Sequence, residues 1–265
     1  MKPTQLIYLI AALITLSCGG PANKEEAPAE PVPEAAEAVT PEYFELRTYY
    51  CYPGKREALL RRFQDHTLAL FEKHDMVNLG YWTPLEGEED VLVYLMGYPS
   101  REARDQSWQA FSNDPEWKSA YEASHQNGPI VDSVANVFLS YTDYSPRLLP
   151  EDKAPRIFSL RTYYTHPGKL EALHARFRDH TMKIFEDNGI TNVVYFNLDP
   201  QTPGAGNTLK YLVSFPDTAA RSESWKRFGE DPAWKKAYAE SIADGPLVDS
   251  ITAELLVPVA FSPLK

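Results

Sequence analysis

The chain has 265 residues, 43% of them hydrophobic and 12% aromatic, enough to bury one sizeable core or two smaller ones. Its formal net charge of −11 argues against a nucleic-acid partner, because phosphate binding needs clustered Lys and Arg. The basic run Lys55, Arg56, Arg61 and Arg62 reads instead as the solvated face of a helix.

Lys2 supplies a short positive start, and LIYLIAALITL (6–16) is an apolar stretch too short to span a bilayer comfortably. It ends in LSCGG, which resembles a bacterial lipoprotein signal, with Ser17 before the cleavage point and Cys18 as the lipidated residue. Thr15 stands where such signals usually carry Leu, which leaves a plain secretory peptide or an uncleaved anchor as alternatives. If Cys18 is acylated, Cys51 is left alone and no intramolecular disulfide forms. Residues 19–42 are rich in Pro, Ala and Glu and bury too little apolar surface to offset their ordering entropy, so a disordered tether is expected. Stiffened by its prolines, that tether would reach about 75 Å.

From Phe44 the chain is written twice. FELRTYYCYPGK (44–55) matches FSLRTYYTHPGK (158–169), and RFQDHTLALFE (62–72) matches RFRDHTMKIFE (176–186). The match slips where TPLEGEED gives way to NLDPQTPGAGN, then resumes in WQAFSNDPEWKSAY against WKRFGEDPAWKKAY and in GPIVDS against GPLVDS. Two copies of about a hundred residues are self-sufficient domain sizes, so this is a tandem duplication and not a solenoid. Domains are expected at 43–148 and 156–265, joined by a linker at 149–155.

Each copy reads as β-α-β-β-α-β. In the first, a strand over 44–51 is broken by Pro53-Gly54, and a helix to about residue 74 carries Leu59, Leu60, Phe63, Thr67, Leu70 and Phe71 on one stripe. Strands near 76–83 and 90–98 follow, joined by a Gly- and acid-rich hairpin. A second helix spans SREARDQSWQAF, Asp114-Pro115 caps a further short helix, and the last strand runs to about Tyr141. That order is the ferredoxin-like α+β arrangement.

The ELRTY…PGK opening, the long first helix, the DPEW segment and the closing SP resemble the NIPSNAP family, over nearly all of 43–148 and 156–264. The resemblance implies a dimeric α+β barrel, here closed within one chain by its two copies as an intramolecular pseudo-dimer. It implies no assigned activity. Similar barrels include cofactor-free monooxygenases, haem-degrading proteins and lactone isomerases.

Alternation puts Phe44, Leu46, Thr48 and Tyr50 on one face of the first strand, with Glu45, Arg47, Tyr49 and Cys51 on the other. Placing the apolar set under the helices sends Arg47 and Tyr49, with Arg161 and Tyr163 of the second copy, into the barrel interior. Lys210, at the position of Val93, joins them there. Arg suits a carboxylate, enolate or phosphate, and the barrel interior becomes the expected ligand site. The alternative is that Arg47 pairs with Glu45. The second copy has Ser159 in place of that Glu, so Arg161 is the better anion candidate.

His66 and His180 sit at the flank of the helical stripe and are expected to pack with one hydrogen bond; a general-base role is the secondary reading. Asp65 diverges from His66 on the helix, and the two histidines ride on opposite sides of the barrel, so neither a dyad nor a shared metal is expected. With no HExxH, CxxC, P-loop or Rossmann fingerprint, no metal and no cofactor are expected. The pairs Trp108/Trp225 and Trp117/Trp234, at helical positions, read as core and not as a stacking platform. The leading expectation is an envelope lipoprotein binding a small anionic or aromatic molecule, held at the membrane only through its lipid, with further homo-oligomerisation left open. The rivals are an enzyme of the barrel class and an interaction scaffold.

Overall fold

The computed structural model describes residues 40–87, 89–148 and 154–265. The signal segment, nearly all of the tether and most of the 149–155 linker lie outside the described residues. The first copy folds as β1 (Tyr43–Cys51), α1 (Arg56–Arg62), a π-turn (Phe63–Thr67), α2 (Leu68–Lys73), β2 (Val77–Pro84), β3 (Val91–Tyr98), α3 (Arg101–Asn113), α4 (Pro115–Ser124) and β4 (Val131–Tyr141). The second repeats it as β5 (Ile157–Thr165), α5 (Leu170–Arg176), a π-turn (Phe177–Thr181), α6 (Met182–Asp187), β6 (Thr191–Leu198), β7 (Thr208–Phe215), α7 (Thr218–Glu230), α8 (Pro232–Ser241) and β8 (Val248–Pro258). Asp114 and Asp231 cap α4 and α8 as expected, each accepting a backbone N–H two residues on, with Pro at the first helical position.

The strands form one closed barrel in the order β1-β3-β2-β8-β5-β7-β6-β4, all neighbours antiparallel. Within each half the order is that of a ferredoxin-like sheet. The halves join where Trp82–Pro84 pairs with Leu256–Pro258 and where Leu139–Tyr141 pairs with Phe196–Leu198. Each half also sends its tail across to the other. Ser145 Oγ accepts the Tyr195 N–H at 2.9 Å, and Ser262 Oγ accepts the Tyr81 N–H at 2.9 Å. The pseudo-dimer is therefore interlocked as well as paired edge to edge.

The barrel interior is an apolar core. Phe44, Leu46, Trp82, Val93, Leu95 and Leu139 meet Phe158, Val194, Phe196, Leu212 and Leu256 there. The residual cavity is about 10 Å³, which holds about one water molecule. This corrects the expected facing of β1 and β5. Phe44 and Leu46 point into the barrel, whereas Glu45, Arg47 and Tyr49 point toward the helices. An eight-stranded barrel is just wide enough for side chains to fill, so its dry interior takes the apolar set. The helix layer can supply polar partners instead. Register agrees, since Arg47 lies opposite Tyr94 and Arg161 opposite Tyr211, both of which pack under helices.

Two further expectations are corrected. Arg62 is buried, not solvated: its guanidinium lies 5.3 Å from the Trp117 ring centre and donates to Ser124 Oγ at 3.2 Å. Its counterpart Arg176 does the same against Trp234 and Ser241. His66 and His180 are exposed and make no side-chain hydrogen bond among the described residues. The cause is the π-turn, whose wider loop swings both histidines off the apolar stripe. Thr67 and Thr181 support that turn by donating to the carbonyls of Arg62 and Arg176, five residues back.

Candidate functional site

The five residues singled out from the sequence do not share one chamber. Arg47 and Tyr49 lie between the first sheet and its helices, Arg161 and Tyr163 between the second sheet and its helices, and Lys210 inside the barrel. Lys210 keeps its expected facing: its Nζ donates to Thr162 Oγ1 at 2.5 Å, and burial pulls its pKa down to about 8 against the opposing charge of Glu254.

In the first half the arginine has a carboxylate. Glu45, wholly buried, accepts from Arg47 at 2.5 Å, from Arg104 Nε at 2.8 Å and Nη2 at 2.9 Å, from Trp108 Nε1 at 3.0 Å and from Asn136 Nδ2 at 3.1 Å. Burial alone would raise its pKa, but the Arg104 hydrogen bonds and the Arg47 charge hold it below the ordinary carboxylate range. The Arg47 guanidinium also lies 4.4 Å from the Trp108 ring centre, a cation–π contact.

The second half keeps the cations and loses the acceptor. Ser159 replaces Glu45, Ala253 replaces Asn136, and Phe215 replaces Tyr98, whose hydroxyl accepts from Trp108 at 2.9 Å. Arg161 still stacks 4.6 Å from the Trp225 ring centre and donates its Nε to Tyr211 Oη at 3.0 Å. It has no carboxylate partner among the described residues. Arg221 and Trp225 hold the places of Arg104 and Trp108, the fourth and eighth residues of their helices. Arg221 Nε, Trp225 Nε1 and Ser159 Oγ are all buried without a hydrogen-bond partner in the protein. Such groups are rare in folded proteins because each forfeits its hydration with no return. Trp225 packs against the second-half core as expected, with its indole N–H left unpartnered.

A second feature lies where the tail of the first half crosses onto the second. A cleft of about 440 Å³ is lined by Asp143, Glu171, His174, Arg178 and Asn197. His174 is buried, and its Nδ1 shares a 2.8 Å hydrogen bond with Tyr144 Oη, which arrives on the crossing tail. Burial lowers the His174 pKa; the Glu171 charge opposes this and Arg178 reinforces it. Arg178 is held bidentately by Asp143, at 2.9 Å for both bonds. At the equivalent places on the other side of the barrel, Leu60 and Gln64 stand for His174 and Arg178, and Ala260 and Phe261 for Asp143 and Tyr144. Position-by-position comparison of the copies carries the signal for both sites, and it is the differences, not the matches, that mark them. Among the described residues, no group of three or more His, Cys, Asp and Glu side chains is placed to hold a metal ion.

The solved structure of a putative monooxygenase from Lactobacillus acidophilus is similar over 82% of this chain and 94% of that one, with a TM-score of 0.52 at 11% identity, a likeness of fold alone. An uncharacterised NIPSNAP-like domain protein from Burkholderia xenovorans matches over 42% of this chain and 94% of its own, at 22% identity and a TM-score of 0.38. Among curated proteins, human Protein NipSnap homolog 3A is 24% identical over 227 residues, 84% of this chain and 86% of the relative, and mouse Protein NipSnap homolog 3B is 24% identical over 229 residues. The NIPSNAP family model matches twice, at residues 44–146 and 158–263, and the chain belongs to the NIPSNAP family as a tandem of two such domains.

Proposed function

We propose that this protein binds a small anionic molecule through its second half, in the layer between the sheet and the helices, while the first half serves as structural support. The observation that carries this reading is the loss of the carboxylate beside Arg161 while the neighbouring cation and indole are retained. A cationic layer without an internal carboxylate is stabilised by an external anion. The first half, neutralised by Glu45, has no such need. Thermal-shift and calorimetric titration with a panel of organic and inorganic anions tests the reading. At least one anion stabilises the wild type, and Arg161→Ala removes that response; a flat response across the panel contradicts it.

Proton-transfer catalysis is a second reading, supported by the His174–Tyr144 pair in the open cleft. A histidine kept neutral by burial can accept a proton from a bound molecule. The LSCGG sequence supports a further proposal, that Cys18 carries a lipid and tethers the barrel to a membrane of the cell envelope. Metabolic labelling with a radioactive fatty acid checks it: wild type takes up label and Cys18→Ser does not.

A further inference from the structure

We infer that the anion accepted by the second half is a carboxylate, of formate or acetate size at its bound end, held as Glu45 is held in the first half. This rests on the anion-binding reading above and adds to it the ligand class and the donors. The two halves of one chain provide the template. In the first half the carboxylate plane is defined by its donors: Oε2 receives Arg104 Nε and Trp108 Nε1, and Oε1 receives Arg104 Nη2, Arg47 and Asn136. All but one of those donors recur in the second half on equivalent elements, as Arg221, Trp225 and Arg161. The exception is Asn136, replaced by Ala253.

The pattern of loss is selective. Drift toward a plain apolar layer would remove the arginines together with the glutamate, because buried unpaired guanidinium groups are expensive. Here the acceptor is removed and the cations stay. Ser159, wholly buried, retains a hydroxyl at the branch point where the Glu45 side chain continues toward its carboxyl group. That hydroxyl is itself without a protein partner, and it can donate to a carboxylate oxygen seated at hydrogen-bond distance from it. The edge nitrogens of Arg221 and the indole N–H present a planar, two-oxygen recognition surface, which fits a carboxylate better than a tetrahedral anion. Arg221 and Trp225 are half-buried on α7, so parts of both side chains reach solvent while their orphaned donors stay buried. Thr218 in place of Arg101 and Ala253 in place of Asn136 reduce bulk at the same rim.

The test is calorimetric titration of the full chain with formate and acetate, with nitrate and phosphate as comparison anions. The wild type binds one equivalent of formate or acetate. Ser159→Glu supplies the missing carboxylate from within, so it raises the melting temperature and abolishes formate binding. Glu45→Ser converts the first half to the second-half pattern and raises the stoichiometry to two. Should Ser159→Glu fold poorly, Trp225→Phe keeps the ring and deletes one donor, weakening formate roughly tenfold. Formate binding that survives both Ser159→Glu and Trp225→Phe overturns the inference. So does tight binding of phosphate with no response to carboxylates, an outcome that leaves the broader anion-binding reading standing if Arg161→Ala still removes it. No response to any anion overturns both.

Discussion

Replacing Lys210 with Met tests the account of the barrel as a dry core. Burial pulls the Lys210 pKa from 10.5 down to about 8, with the nearby Glu254 charge opposing the shift. That difference of 2.5 units corresponds to about 3 kcal/mol at roughly 1.4 kcal/mol per unit. Below pH 8 both the folded and the unfolded chains carry the proton, so the full penalty burdens the native state. Between pH 8 and 10.5 the native lysine releases its proton while the unfolded chain keeps it, and stability rises with pH. Met fills similar volume without a charge to desolvate. Lys210→Met therefore stabilises the protein at neutral pH by about 1–3 kcal/mol, the lower end reflecting the lost attraction to Glu254. Urea denaturation of both proteins across this window provides the assay. The advantage of the variant shrinks as pH climbs from 8 toward 10.5. A wild type more stable than the variant at pH 7, or a gap that ignores pH, refutes the reasoning.

Other expectations follow from the same geometry. Glu45→Ala leaves Arg47 and Arg104 without their shared carboxylate and destabilises by about 3–5 kcal/mol, measured by chemical denaturation. Gly80→Val lowers stability by at least about 1–3 kcal/mol, since even a Cβ at Gly80 would fall within the Trp82 ring; thermal melting reads the loss. His174 has a lowered native pKa, so the folded chain loses stability as pH falls from 6.5 toward that value. His174→Leu flattens this acid limb in pH-dependent melts. His66→Ala, at an exposed π-turn position, changes stability by no more than about 0.5 kcal/mol.

Much of the architecture was legible because the chain states it twice. The repeat gave the domain count, and its alternating and helical periodicities gave β-α-β-β-α-β in each copy. Asp114-Pro115 located the start of α4, and Asp231-Pro232 starts α8 in the same way. The family resemblance implied a closed pseudo-dimer, and the barrel joins through short pairings at Trp82–Pro84 and Leu139–Tyr141.

The facing of β1 was not legible from that strand alone. Its alternation separates Phe44 and Leu46 from Arg47 and Tyr49 but does not say which set meets helices, because both layers of this barrel are buried. Cross-strand register resolves it through Tyr94, which lies opposite Arg47 and packs against Phe63 and Phe71. The π-turn escaped because the Phe63–Thr67 residues are compatible with an ordinary helix; the extra residue shows in the Leu68 N–H bond to the Phe63 carbonyl, five residues back, and in the Thr67 bond to the Arg62 carbonyl. Arg62 looked solvated because charge patterning cannot anticipate the Trp117 and Tyr121 faces that cover it. The anion layer was half legible: Ser159 in place of Glu45 marked Arg161. Assigning Arg221 and Trp225 to it required their positions on α7.

The most direct measurement of the central claim is a crystal structure of the full chain grown with formate. The account predicts planar three-atom density between Arg221, Trp225 and Ser159, facing α7 as the Glu45 carboxylate faces α3 but in van der Waals contact with Ser159 and not at bonded distance. Glu45 itself keeps its five hydrogen bonds in the same crystal. Clear density for the side chains, with Arg221 and Trp225 satisfied by protein groups and no formate between them, contradicts it.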